Sequence, residues 1–445
     1  MTTISVFGLG RVGLSTAVCF ANKGYRVIGI DTNENVVEQI RKRRPPFFEP
    51  QLDEYLKAAI DRETFLATCD PSLSQESDLI LIAVGTATRD GKTDLSGVEN
   101  AAATIGRSLS QTEHRQVIVI KSTVPPGTAR KVVKPTVERE FNRTADKQFG
   151  LCSNPEFLRE GNALHEVEFP DRIIIGSDDP EAAETLERFY REFHGGKLPP
   201  IIRTTHENAE LIKYANNAFL ATKVSFINCV ANVAERFPFT DVKTVAAGIG
   251  VDARIGSEFL NAGLGWGGSC LPKDLDAMIE FSRASGYNPQ LLEAVAEINR
   301  KQWQKATQAA RDALGELAGK RVAILGFSFK PQTDDFRGAA SIPIINDLLS
   351  EGADVVLYDP ASMDNARKVF QDRVSYARSA YDCVEGAECC IVVTEWDEFR
   401  TIPPSAFVER MAQPIVIDGR RIYEPDEFMH AGVRLWAIGL GPRNE

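Results

Sequence analysis

Three short segments carry residues whose types and spacing could do chemistry. In GLGWGGSCLPKD, Cys270 follows a run of glycines and precedes Lys273 and Asp274. Pro272 is tolerated in the first turn of a helix, so the spacing predicts a helix that begins at Ser269 or Cys270. A thiol there feels the positive end of the helix dipole and has Lys273 nearby, both favouring thiolate. In ELIKYANNAF, Lys213 and Asn217 are four residues apart, as are Glu156 and Glu160 in NPEFLREG and Cys270 and Asp274. Each pair shares one face if the local structure is helical. Each also has a plain structural reading: free cysteines pack in cores, paired carboxylates line wet faces, and helix lysines point to solvent.

A fourth segment supplies a cofactor. Gly8-Leu9-Gly10-Arg11-Val12-Gly13 ends an apolar run and opens a helical one, and Asp31 closes the next strand-like run 18 residues after Gly13. In that context the pattern is a dinucleotide fingerprint. Gly8 allows a tight turn, Gly10 lets a pyrophosphate approach the backbone, and Gly13 lets helix and strand pack closely. Asp31 can hold both ribose hydroxyls and repels a 2′-phosphate, so NAD is expected rather than NADP. Two more strand-end loops are candidate ligand loops: Val84-Gly85-Thr86-Ala87-Thr88, and Lys121 to Thr128 with Ser122 and Thr123.

A dinucleotide fold with a nucleophilic cysteine and no metal narrows the reaction. Hydride removal from an alcohol gives an aldehyde, which a thiolate captures as a thiohemiacetal. A second hydride then leaves, and water cleaves the thioester. Lys213 and Asn217 could serve a developing oxyanion, and Asp274 and Glu156 could manage protons and water. An alcohol would become an acid at the cost of two NAD.

The elements that must position these residues follow from periodicity. Apolar runs at 78–85, 116–123 and 171–177 alternate with helical patterns, predicting a parallel doubly wound sheet. From 204 to 237 there is neither Gly nor Pro over more than thirty residues until Pro238, and Thr204 with Glu207 matches a capping box. This long helix is apolar around most of its circumference, so it should lie between domains or against a partner chain. A second helical stretch covers 288–318, after which strand-helix-strand resumes at RVAILGFSFK. Gly24 and Asp31 are seven residues apart, as are Gly352 and Asp359. Gly8 to Asp31 spans 23 positions, however, and Gly326 to Asp359 spans 33. The second unit is therefore a Rossmann-like domain with a lengthened first loop, FSFKPQTDDFRGA. The expected fold class is α/β, with two Rossmann-like doubly wound parallel-sheet domains joined by a long central helix.

Length and composition set bounds. A chain of 445 residues calls for two or three domains. A net charge of −11 argues against sequence-independent nucleic-acid binding. No signal-peptide pattern and no apolar run long enough for a membrane span is seen, so a cytoplasmic protein is expected. The eight cysteines form no CxxC pair, which suits a reducing compartment. The five histidines are scattered, and no metal site is expected.

Taken together, GLGRVGLSTA with Asp31, STVPPGT, NPEFLREG, the ELIKYANNAFLATKVSFIN helix, RIGSEFLNAGLGWGGSCLPKD, LGFSFKPQTDDFRGA and DGRRIY resemble the UDP-glucose and GDP-mannose dehydrogenase family, in this order over nearly the whole chain. The resemblance implies an NAD-binding Rossmann domain at 1–203, a central helical dimerisation domain at 204–300 and a UDP-sugar-binding Rossmann-like domain at 301–445. It implies Cys270 as nucleophile, Lys213 as oxyanion donor or base, Asn217 as its partner, and Asp274 as the carboxylate that activates water or orients the thiolate. Thr123, Glu156, Phe157, Leu158 and Glu160 would surround the reacting carbon and an ordered water. Gly8, Gly10, Val12, Gly13, Asp31, Gly85, Thr86, Thr88, Ser122, Thr123, Glu160 and Arg337 would serve NAD. Asn261, Gly265, Trp266 and Gly267 would wrap the sugar-nucleotide phosphates, with Phe329, Lys330 and Arg420 on the UDP-sugar. Arg254 would reach a neighbouring subunit in a homodimer or larger homo-oligomer.

The chain departs from the family pattern at Ala87, where proline is usual, and at Val36, where a basic residue is common; both bear on NAD binding. UDP-glucose oxidation to UDP-glucuronate is the reading of first choice, with GDP-mannose or a UDP-N-acetylaminosugar next. A two-electron hydroxyacid dehydrogenase and a non-catalytic nucleotide-sugar sensor are the alternatives from other classes.

Overall fold

The computed structural model describes residues 2–89, 92–109, 114–141 and 149–443. Its contacts divide the chain into two compact units, residues 1–216 and 217–445.

In the first unit the strands are β1 (Thr3–Phe7), β2 (Arg26–Ile30), β3 (Phe65–Thr68), β4 (Leu79–Ile82), β5 (Thr88–Arg89), β6 (Lys92–Thr93), β7 (Gln116–Ile120), β8 (Phe149–Ser153), β9 (Ile173–Gly176) and β10 (Ile201–Thr204). Eight of them form one sheet in the order β10-β9-β8-β7-β4-β1-β2-β3, and β5 and β6 make a small antiparallel ladder. The strands read as continuous apolar runs because both faces are covered. On β7, Val117 and Val119 enter one core with Leu14 and Phe20, while Ile118 and Ile120 enter the opposite core with Val98 and Val137.

Six strands, β8 through β3, are parallel, but β9 meets β8 antiparallel through Ser153 and Gly176, and β10 follows β9 in parallel. The chain between β8 and β9 is spent on an irregular loop and the six-residue helix Ala163–Glu168, too little helix for a crossover that would keep the strand direction.

The long helix is His206–Ala234, 29 residues or about 43 Å, and it continues from the first unit into the second. Its start differs from the capping box expected at Thr204. Thr204 is still the last residue of β10, and Thr205 Oγ1 instead accepts the Asn208 N–H at 3.3 Å. Glu207 turns to Arg130 at 2.8 Å.

The second unit adds helices Val242–Gly250, Leu271–Ala284, Gln290–Gln302 and Gln304–Leu314. Its sheet contains β11 (Arg321–Leu325), β12 (Asp354–Tyr358), β13 (Ser375–Tyr376), β14 (Cys389–Val392), β15 (Ile415–Asp418) and β16 (Arg434–Ala437). The order β13-β12-β11-β14-β15-β16 is parallel throughout. The lengthened loop predicted after β11 is present, running from Gly326 to the helix Ser341–Ser350. Among the described residues no helix is long and apolar enough to cross a membrane.

Candidate active site

The dinucleotide turn has the form its glycines require. Gly8 sits at φ +93° and its N–H donates to Ile30 O at 2.8 Å. A Cβ on Gly13 would fall 1.8 Å from the Gly8 carbonyl oxygen, so helix Arg11–Asn22 rests directly on the turn. A Cβ on Gly10 would meet nothing within 4 Å, and no side chain caps this helix. That opening at an uncapped helix N-terminus, with Val12 in its first turn, fits a pyrophosphate. Asp31 accepts the Leu9 N–H at 2.7 Å and the Asn33 N–H at 2.9 Å, which fixes its carboxylate at the end of β2. Each oxygen keeps a further lone pair for a ribose hydroxyl.

The two candidate loops are joined to each other. Thr86 Oγ1 donates to Thr123 O at 2.8 Å, and Ser122 Oγ donates to Val84 O at 2.7 Å. Gly85 and Thr88 are exposed beside them.

NPEFLREG is not helical, contrary to the shared face expected for Glu156 and Glu160. Pro155 and the tight bond from Leu158 N–H to Glu156 Oε2, 2.5 Å, hold an extended turn instead, and the two carboxylates part. Glu156 is buried and its Oε1 lies 3.1 Å from Lys213 Nζ, itself 3% exposed. Glu160 lies 3.7 Å from Arg11 on the dinucleotide helix. Phe157 stacks its ring under Arg172, 3.9 Å away, with Lys213 Nζ at 5.4 Å.

Lys121 belongs to this group and spacing gave no sign of it, since a lysine at a strand end reads as solvent-facing. Its amine donates to Asn154 Oδ1 at 3.0 Å. Burial pulls its pKa down to about 8, against the attraction of Glu156 and with the repulsion of Lys213.

In the second unit, Cys270 is the N-cap of helix Leu271–Ala284 and is partly exposed. Cys19, Cys152, Cys383, Cys389 and Cys390 are buried, and burial pushes their thiols up. Asp274 is 1% exposed and its Oδ2 accepts from Asn217 Nδ2 at 2.6 Å. Its Oδ1 accepts from Lys273 Nζ at 2.6 Å. Lys273 was expected to serve the thiol, but its ammonium is bound to Asp274. Lys213 and Asn217 lie one turn apart on the continuous helix, and both are buried rather than solvent-facing.

The glycines before Cys270 also let two segments of the second unit pack closely. A Cβ on Gly267 would lie 2.3 Å from Gly338 O, and one on Gly268, at φ +88°, would lie 2.8 Å from the Phe329 ring. The Gly268 N–H donates to Arg337 O at 2.8 Å. The lengthened loop therefore seats the cysteine loop. Asn299 clamps Trp266 from both sides, accepting from its N–H at 2.8 Å and donating to its carbonyl at 2.9 Å. The Trp266 indole N–H donates to Ser225 at 3.0 Å.

Arg420 also turns inward. It donates to Gly265 O at 3.0 Å and to Val393 O at 2.6 Å, and Glu395 lies 3.4 Å away. Arg337 is paired with Asp335 at 2.6 Å, and Lys330 lies 5.7 Å from the Phe329 ring centre. Asn261 and Arg254 are exposed, Arg254 paired with Asp252 at 2.6 Å.

Comparison with known proteins decides what this arrangement is. Three models of the UDP-glucose/GDP-mannose dehydrogenase family match in succession: the NAD binding domain at residues 2–194, the central domain at 207–301 and the UDP binding domain at 323–425. The chain belongs to the UDP-glucose/GDP-mannose dehydrogenase family. It is 41% identical to UDP-glucose 6-dehydrogenase AglM of Haloferax volcanii, covering 94% of this chain and 96% of that one. It is 39% identical to UDP-glucose 6-dehydrogenase TuaD of Bacillus subtilis, covering 99% and 93%. A UDP-glucose dehydrogenase structure from Pyrobaculum islandicum superposes with a TM-score of 0.89 at 36% identity, covering 99% and 97%.

The chain is thus an NAD-dependent nucleotide-sugar dehydrogenase of this family, and the Gly8–Gly13 turn and Asp31 fit the cofactor. The second Rossmann-like unit does not offer the same acceptor. Asp359, the counterpart of Asp31, is buried, and its Oδ2 accepts from Phe327 N, Ser328 N and Oγ, and Trp396 Nε1, while Oδ1 accepts from Ala361 N and Ser362 N. No lone pair remains for a ribose.

Proposed function

We propose that this chain is a UDP-glucose 6-dehydrogenase, converting UDP-glucose to UDP-glucuronate through thiohemiacetal and thioester intermediates on Cys270. The observation that carries the reading is the placement of Cys270. Of eight cysteines it is the one that caps an α-helix, partly exposed, one turn before a buried carboxylate. Relatives of 41% and 39% identity that bear the name support the choice of sugar.

The Gly8–Gly13 turn, Asp31 and the loops at 84–88 and 121–128 would hold NAD, which would supply the hydride acceptor for each of the two oxidations. Cys270 Sγ adds to the aldehyde carbon after the first, with the helix N-terminus favouring its thiolate. Lys213, kept in place by Glu156, donates to the oxygen on which negative charge develops, with Asn217 beside it on the same helix. Asp274 is not a free base: its oxygens serve Asn217 and Lys273, so it fixes the amide of Asn217. The Thr123 carbonyl is taken by Thr86, leaving its hydroxyl as the group it offers to the water that cleaves the thioester. Arg420 and Phe329 act by shaping the loop before Cys270.

The protein works as a homodimer or larger homo-oligomer in this reading. Phe219, Phe226 and Val233, seven residues apart on the long helix, expose one apolar stripe. Arg254 is 88% exposed near exposed Val251 and Ile255, which suits a residue that reaches a neighbouring subunit.

Incubation with NAD and, separately, UDP-glucose, GDP-mannose and UDP-N-acetylmannosamine tests the substrate. NADH formation with UDP-glucose at the highest kcat/KM is expected. Turnover of GDP-mannose or the aminosugar with none of UDP-glucose overturns it.

A further inference from the structure

Glu210 is three residues before Lys213 on the long helix and was not among the residues that spacing singled out. It is 3% exposed. Its Oε2 accepts the Gly127 N–H at 2.5 Å and its Oε1 the Ala129 N–H at 2.8 Å. Gly127 ends the loop that carries Ser122 and Thr123, and Ala129 opens the helical segment that follows it. Ser122, Thr123, Glu210 and Lys213 also line one cavity of about 10 Å³ with Ser153 and Pro155, room for a single water.

We propose that Glu210 is a positioning residue for the cofactor. Its carboxylate clamps the 121–128 loop to the helix turn that bears Lys213, and protonation releases the clamp. The inference rests on the assignment of that loop to NAD. A carboxylate can accept both N–H groups, whereas a protonated carboxyl presents an O–H donor toward one of them and keeps a single acceptor.

Burial pushes the Glu210 carboxyl up to about 7, against the bonds from Ala129 and Gly127 and with the negative charge of Glu207 adding to the rise. The other charges near it are Lys213 across the cavity and Lys131, whose Nζ passes close to Gly127. From the loop itself Glu210 meets backbone N–H groups. The bonds favour the ionised form, so any ligand that fixes the loop favours it too. NAD binding should therefore release a proton near neutral pH.

Calorimetric titration of NAD into the full-length protein, in buffers of different ionisation enthalpy, tests this without turnover. The wild-type Kd is expected to weaken about tenfold from about pH 8 to about pH 6, with net proton release on binding. Glu210→Gln offers one acceptor at every pH. It should bind NAD about tenfold more weakly than wild type at the alkaline end, with a flat pH dependence and no proton release. A wild-type Kd independent of pH over this range, or Glu210→Gln with wild-type pH dependence and proton release, overturns the clamp. The wild-type measurement decides the matter even if the variant folds poorly. Thr123→Ala tests the underlying assignment: unchanged NAD affinity removes the loop from the cofactor site and the proposal with it. Weakened affinity in Thr123→Ala beside pH-independent wild-type binding overturns the clamp alone.

Discussion

Lys213 and Lys121 both feel the charge of Glu156 but are held by different partners. Lys213 forms an ion pair with Glu156 in a buried site, where loss of either partner strands a charge. Lys121 is held at Asn154, and Tyr190 donates to the same Asn154 Oδ1 at 2.5 Å. With its pKa lowered from 10.5 to about 8, Lys121 binds fewer protons folded than unfolded between those values, so stability rises with pH across that window. Lys121→Met removes a partly buried charge while Tyr190 still serves Asn154. The variant should be more stable than wild type by roughly 1 to 3 kcal/mol at neutral pH, with the gap closing as pH rises toward 10.5. Melting temperatures across that range check it. Asp274→Ala removes a buried carboxylate that accepts from Asn217 and Lys273 and should cost roughly 2 to 4 kcal/mol, read from denaturant unfolding. At this scale the sequence is a partial guide. Cys270, Lys213 and Asn217 were legible because a glycine-rich helix start and an unusually apolar helix set them apart. Glu210, Lys121 and Asn299 were not, since their partners are far along the chain and nothing local marks a lysine or glutamate as buried.

The glycine elements separate ligand contact from packing. A Cβ on Gly10 touches no protein atom, so Gly10→Ala should leave the melting temperature unchanged and weaken NAD binding by about tenfold or more. Gly13→Ala collides with the Gly8 carbonyl and should lose both stability and NAD binding. Gly268→Ala meets the Phe329 ring at a backbone angle that disfavours side chains, and should lower kcat by at least about tenfold while NAD affinity holds. Fluorescence titration with NAD beside steady-state rates distinguishes the three. The dinucleotide turn was readable because Gly8, Gly10 and Gly13 all lie within one strand-turn-helix unit. NPEFLREG does not meet the helical condition on which a shared face depended, because spacing of four says nothing about whether the backbone is helical. The reversed direction of the last two strands of the first sheet was hidden for a related reason: that the helix between β8 and β9 is only six residues long is not marked by spacing.

At the scale of the whole molecule, the exposed Phe219, Phe226 and Val233 stripe is a cost to a monomer that the proposed second copy would remove. Phe226→Glu should shift the protein toward monomer in light scattering, and Arg254→Ala should lower activity without changing mass. The two Rossmann-like units and the long helix joining them were legible from repeated strand-helix spacing, and the extra loop length in the second unit was visible as ten added residues. What that loop does was not visible, because its contacts with Gly267 and Gly268 join segments about sixty to seventy residues apart. The central claim is a four-electron oxidation on Cys270, and the most direct test is product stoichiometry with limiting UDP-glucose. Two NADH and one UDP-glucuronate per sugar are predicted, with acid formation abolished in Cys270→Ser; one NADH per sugar, or acid formation that survives loss of the thiol, contradicts the account.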